Sequence, residues 1–187
     1  MAFAVFALAS TAALAENGNG FYIGGGAGYA GHGIDCRGVD DCSNSHAGFK
    51  LLAGYQIMPN LAIESSFGDT GRTKASFDGI GVSNKTQSFT IAALGIYPVD
   101  KQVELFGKLG AHSTRNKITA SVEANGLNLS DSESRNASGL LAGVGAQYRF
   151  TPNLLGRVEY EYLSRAVYDF DGRKAINLVT ASVLYQF

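Results

Sequence analysis

The chain of 187 residues has room for one domain with a sizeable interior, and no linker of biased composition divides it. Its formal charge of -1 excludes the basic footprint of a nucleic-acid-binding protein. Charged residues make up 17% against a usual share of about a quarter, and 24 Gly, 9 Tyr and 11 Phe stand beside 3 Pro and no Trp, a balance unlike that of most soluble enzymes.

The chain opens on an apolar run closed by Ala13-Leu14-Ala15, the small-x-small pattern of a signal-peptidase site, which predicts cleavage between Ala15 and Glu16. That run is shorter than the ~20 residues a membrane-spanning helix needs. No Lys or Arg precedes it, which leaves open a true start codon upstream of Met1. Residues 1–15 are therefore read as a signal peptide and residues 16–187 as the mature domain. Export fits the two cysteines, Cys36 and Cys42, whose expected disulfide staples a short loop in an oxidising compartment. Asp35, Asp40 and Asp41 stand beside them, but a metal site needs more ligands, and the pattern reads as a solvated loop. No cofactor is expected.

From Phe21 onward, eight runs of roughly ten residues alternate with period two, the length a tilted strand needs to cross a bilayer. They cover residues 21–30, 46–57, 61–69, 87–97, 103–113, 139–150, 154–163 and 175–187. Three connections are tight and hold Pro59, Pro98 and Pro152. Each leaves no room for a crossover helix, so the strands it joins are antiparallel. The other four, residues 31–45, 70–86, 114–138 and 164–174, are long and polar. Short and long connections thus fall at opposite ends. The expected fold is all-β, an eight-stranded antiparallel up-and-down transmembrane β-barrel.

A soluble lipocalin-like barrel has the same strand count, and the charges decide between the two. In the second run Ala47, Phe49, Leu51, Ala53, Tyr55 and Ile57 share one face, opposite Lys50, Leu52, Gly54 and Gln56. The seventh run sets Leu154, Val158, Tyr160 and Tyr162 against Arg157, Glu159 and Glu161. Three neighbouring charges do not sit cheaply in a dry cavity, so the apolar face is placed outward against lipid. Aromatics gather near strand ends, Phe21, Tyr55, Tyr97, Tyr148 and Tyr185 on the short-turn side and Tyr29, Phe49, Phe67 and Tyr162 toward the other, as at membrane interfaces. The fourth run, SFTIAALGIY, is apolar on both faces and its sidedness stays open. Within the long connections, Asn125-Gly126 follows the alternating Ile118, Ala120 and Val122, and Asp78-Gly79 repeats the form. Both predict hairpins that continue above the membrane, whose edges are templates for an added strand.

Four stretches, FYIGGGAGYA, NLAIESSFG, AGVGAQYRFTPNLLGRVEYEYL and the terminal SVLYQF, resemble the OmpA-like eight-stranded outer-membrane β-barrel proteins in order and spacing. That resemblance implies an interior filled by an ion-paired polar network rather than an open pore. The matching positions are Glu64 with Arg157 at one level, and Lys50, Lys108 and Glu159 at a second. Inward candidates number three cations, Lys50, Lys108 and Arg157, against four carboxylates, Glu64, Glu104, Glu159 and Glu161. Ala93 and Gln147 stand where relatives can carry a charged pair, which puts a pair-switching gate in doubt. The resemblance also implies that the terminal Val183, Tyr185 and Phe187 are read by the barrel-insertion machinery. Larger members continue into a peptidoglycan-binding domain, so a stand-alone barrel is expected here.

Enzymatic chemistry is weakly supported. His112 adjoins Ser113, but neighbouring residues on a strand point to opposite faces, so one does not readily activate the other. The leading expectation is a monomer of the cell outer membrane, in contact with outer-membrane lipids, with a structural or surface-interaction role. Any host or cell-surface ligand would meet the long loops. A narrow channel is the alternative, and a lipid A-modifying enzyme a remote third.

Overall fold

The computed structural model describes residues 20–32, 45–77, 80–124, 127–169 and 172–187. The predicted cleavage point at Ala15 and Glu16 and the cysteines Cys36 and Cys42 lie outside the described residues. Eight strands follow one another: β1 (Gly20–His32), β2 (Ser45–Met58), β3 (Leu61–Phe77), β4 (Ile80–Pro98), β5 (Val103–Ala124), β6 (Leu127–Arg149), β7 (Leu154–Asp169) and β8 (Gly172–Gln186). Each pairs antiparallel with the next, and β1 pairs with β8 from Tyr22↔Gln186 to His32↔Ile176, which closes the barrel. Phe187 N–H donates to the Phe21 carbonyl at 2.9 Å, so the ladder runs to the last residue.

Alternation sets the two faces. On β2, Phe49, Leu51, Tyr55 and Ile57 are exposed, while Lys50, Leu52 and Gln56 are buried. On β7, Val158, Tyr160 and Tyr162 point out and Arg157, Glu159 and Glu161 point in. On β8, Val183, Tyr185 and Phe187 are exposed and Thr180, Ser182, Leu184 and Gln186 buried. Large apolar side chains therefore coat the outside, and the charges lie within. Aromatic pairs at the short-turn end, Phe21 with Tyr55 at 4.7 Å and Tyr185 with Phe187 at 5.1 Å between ring centres, form one girdle. Phe49 with Phe67 at 6.4 Å belongs to the other.

The fourth strand, unreadable from its apolar pattern, has its sides fixed by pairing. Phe89, Ile91, Ala93 and Tyr97 face outward, and Thr90, Ala92, Leu94 and Ile96 face inward. Ala93 is thus a lipid-side residue and not a vacant place in the interior network; the inward residue at this level is Ala92. The expectation for Ala93 fails because an all-apolar strand carries no alternation from which to read its phase.

Of the long connections, residues 70–86 and 114–138 are largely ladder, in keeping with the hairpins expected to continue above the membrane. Pairing of β3 with β4 continues to Phe77↔Ile80 and that of β5 with β6 to Ala124↔Leu127, flanking the two predicted turn dipeptides. The β2–β3 ladder, by contrast, stops at Phe49↔Asp69 and the β6–β7 ladder at Leu141↔Leu163. Beyond those points β3, β4, β5 and β6 continue as a four-stranded sheet that rises from one side of the barrel.

Candidate functional site: an ion-paired interior

Inside the barrel, Glu64 is the meeting point of three donors. Tyr22 Oη donates to its Oε2 at 3.0 Å, Lys108 Nζ to its Oε1 at 3.1 Å, and Arg157 Nη1 forms a short charge-assisted bond to Oε2. Arg157 also donates through Nε and Nη2 to Gln147 Oε1 at 3.1 and 3.0 Å. Its guanidinium lies 4.7 Å from the Phe106 ring centre and 5.6 Å from that of Tyr22, so both of its faces meet aromatic carbon.

Lys108 links this group to the remaining charges. Its Nζ donates to Glu161 Oε1 at 2.8 Å and lies 2.7 Å from Glu159 Oε2, the latter an ion-pair contact without hydrogen-bond direction. Lys50 Nζ reaches Glu161 Oε2 at 2.6 Å and Glu159 Oε1 at 2.5 Å, and Thr180 Oγ1 donates to Glu159 Oε1 at 3.1 Å. Of the seven inward charges named from the sequence, Lys50, Glu64, Lys108, Arg157, Glu159 and Glu161 are no more than 3% exposed, and Glu104 is half-buried. Rather than two separate levels they form one connected cluster, because Lys108 bridges Glu64 to Glu159 and Glu161. Gln147 enters it through Arg157 and donates in turn to Glu104.

Toward the short turns the network continues through a residue that alternation alone did not bring forward. Arg149 donates to Glu104 at 3.3 Å, to Gln186 Oε1 at 3.0 Å and to the Pro152 carbonyl at 3.1 Å. Gln186 then donates to Gln56, which donates to the Pro59 carbonyl. Counting Arg149, four cations face four carboxylates. Balance matters because an unmatched charge in this dry interior costs several kcal/mol. Tyr22 was also missed, masked by its exposed neighbour Phe21. The signal was its shared phase with Gly24, Gly26 and Gly28, an inward row that leaves room for one large side chain.

Buried apolar side chains share the interior with the charges: Leu94 is paired with Lys108, Leu178 with Glu161, and Leu163 with Ile176 one row further toward the mouth. On the β5 side of the mouth, His112 is buried and Ser113 exposed, so the neighbouring pair is split across the wall. The Ser164 carbonyl accepts from His112 Nε2 at 2.7 Å, which leaves Nδ1 to accept from Thr114 Oγ1 at 3.0 Å. Thr114 is 0% exposed, so this hydroxyl meets no solvent. Asn116 Nδ2 donates to the Ala166 carbonyl at 3.0 Å and ties β5 across to β7. Among the described residues, no three His, Cys, Asp or Glu are grouped to hold a metal ion.

This architecture has relatives. The OmpA-like transmembrane domain model matches residues 16–187. Outer membrane protein P5 of Haemophilus influenzae is 32% identical over 171 residues, which cover 85% of this chain and 48% of P5. The chain thus spans about half the length of the curated relatives of this kind. Among solved structures, Ail, the attachment invasion locus protein of Yersinia pestis, in complex with the heparin analogue sucrose octasulfate, superposes with a TM-score of 0.63 at 23% identity, over 90% of this chain and 99% of Ail. Neisserial surface protein A does so with a TM-score of 0.62 at 23% identity, over 89% and 97%. These two likenesses are of fold. With its closed eight-stranded wall, its outward apolar belt and a family match over nearly its whole length, the chain belongs to the OmpA-like transmembrane domain family and is an integral β-barrel of the cell outer membrane.

Proposed function

We propose that this barrel is a plugged, monomeric surface-interaction element of the envelope and not an enzyme. The observation that carries the reading is the four-stranded sheet of β3 to β6, which continues past the point where the β2–β3 and β6–β7 ladders end. In this family's orientation the short turns face the periplasm and the sheet stands on the cell surface. A barrier to ions needs no such projection, whereas contact with another surface does. The fold likeness to Ail, a protein named for attachment and solved with a heparin analogue, supports a host or cell-surface ligand at this projection.

The filled interior supports a plugged wall. An eight-stranded barrel is only just wide enough for its own side chains, and here they are bonded to one another. Incorporated into planar bilayers, the purified protein is expected to give no reproducible unitary conductance. Steps abolished by Glu64→Gln would replace the plugged reading with a narrow channel. Attachment is tested by expressing the intact chain, and a variant shortened in the β5–β6 projection, in a non-adherent host with equal surface levels. Adherence of the intact form alone is the expected result, and equal adherence sinks the proposal.

Two further assignments go with this reading. Cleavage between Ala15 and Glu16 would release a mature chain beginning at Glu16, checked by N-terminal sequencing of outer-membrane material. A Cys36–Cys42 disulfide would leave the mass unchanged after thiol alkylation without reductant, and full alkylation refutes it.

A further inference from the structure

We infer that the outer-leaflet face of β5, β6 and β7 is a docking site for a phosphorylated, multiply acylated glycolipid of the kind that forms that leaflet. Two features of the outer wall meet there. The first is an apolar groove of ≈ 660 Å³ whose floor is Ala93, Gly95, Gly107 and Ala142, bounded by Tyr160 and Tyr162. Pairing places Ala93, Leu109, Ala142 and Tyr162 in one row across four strands, with Gly95, Gly107, Val144 and Tyr160 in the row below. Because the strands tilt, these rows climb the wall. Ala93 is five residues from the end of β4 at Pro98, whereas Tyr162 is eight from the start of β7 at Leu154. The groove therefore ascends from inner-leaflet depth on β4 to outer-leaflet depth on β7.

Above its upper end stand cations. Arg115 on β5 and Arg165 on β7 are exposed, twelve and eleven residues from the periplasmic ends of their strands, with the exposed Ser138 of β6 between them at eleven. Extending the β6–β7 register sets Arg165 level with His112, three residues short of Arg115, so two strand spacings and that offset separate the arginines by roughly 14 Å, a span that one headgroup with two phosphates bridges. Lys117 is exposed two residues above Arg115. Neither arginine has an ion-pair partner among the described residues.

Arg165 is held there by the backbone. Its φ of 56° is left-handed, a conformation costly for a non-glycine residue. It lies where the β7–β8 register shifts between Leu163 and Val167. Its neighbour Ser164 accepts from Leu140 N–H through Oγ at 2.8 Å and from His112 through its carbonyl at 2.7 Å. The bulge is thereby tied to β5 and β6, and Arg165 stands outward three residues beyond Tyr162.

Charge above and an apolar channel below match a lipid whose headgroup is anionic and whose chains are several. Free phosphate has nothing to put in the groove, and a zwitterionic phospholipid brings its own cation to the arginines.

The test uses the full chain, folded in detergent and shown by heat-modifiable gel mobility to be a closed barrel, with lipid retention read by native mass spectrometry. Probes are diphosphoryl lipid A, its dephosphorylated form and phosphatidylethanolamine. Diphosphoryl lipid A is expected to be retained roughly tenfold better than either of the others. Arg115→Gln with Arg165→Asn, the latter tolerant of a left-handed φ, is expected to erase that preference. Ala142→Leu, at an exposed position in the upper part of the groove, should lower retention with the charges intact, its folding checked by the same mobility shift. Equal retention of phosphorylated and dephosphorylated lipid, or full retention by the double arginine variant, overturns the inference. So does displacement of the lipid by millimolar inorganic phosphate. Adherence of cells is a separate readout, so the two proposals stand or fall apart.

Discussion

Glu64 shows why a single residue in this interior is not described by a single partner. A tyrosine, a lysine and an arginine donate to its two oxygens. Removing its charge leaves Arg157 and Lys108 short of a counter-ion inside a dry wall, and breaking one side of a buried pair typically costs ~3 kcal/mol or more. Glu64→Gln is therefore expected to lower resistance to urea unfolding in detergent by about that amount. Because the loss comes from the cation left behind, Glu64→Gln combined with Arg157→Met should cost less than the two changes summed. Additive costs in the same urea titration would mean the groups act separately. Gly54 is the other revealing position. A Cβ there would lie 2.2 Å from Cζ of the Tyr22 ring, so Gly54→Ala must push Tyr22 off Glu64. The expected loss is ~1–3 kcal/mol, with the Tyr22→Phe variant less affected by the added methyl in the same assay. Lys50, Arg157 and Glu159 were legible because each falls on the polar face of a clean alternation, and Glu64 and Lys108 through the family resemblance. Tyr22 was not, since an aromatic beside another aromatic carries no phase of its own.

Among the elements, legibility followed contrast between the two faces. β2 and β7 oppose apolar and charged residues and could be read in register, whereas β4 is apolar on both faces and acquired its sides only from its neighbours β3 and β5. The extensions of β3 to β6 were legible through their turn dipeptides but not through alternation, for a related reason. Once strands leave the bilayer both faces are polar, period-two contrast fades, and only the turn dipeptides remain as signals. The barrel ladder is complete below the split, so the extension is dispensable for closure. Deleting residues 117–134 and joining β5 to β6 with Asn-Gly is expected to leave heat-modifiable mobility intact and shift urea resistance by less than ~1 kcal/mol. Loss of the mobility shift would show that the projection is part of the folding unit.

At the scale of the whole molecule, closure is made by β1 and β8, which come from opposite ends of the described chain. Exposed Val183, Tyr185 and Phe187 sit on that seam, where the family resemblance places the signal for insertion. If they are read during assembly, Phe187→Ser will cut the folded yield in cells severalfold while protein refolded in detergent keeps nearly full urea resistance. Equal losses in both would assign the residue to stability alone.

The interior cluster bears on that closure. It draws side chains from β1, β2, β3, β5, β6, β7 and β8, and Lys50 and Glu161 are 111 positions apart in the chain. A curled but open sheet would hold these charges unmatched against hydrocarbon, and a seam slipped by one residue would turn a whole strand inside out. Only the correctly registered cylinder neutralises them. The cluster thus favours closure in the correct register over any open or slipped sheet, beyond what the backbone ladder alone specifies.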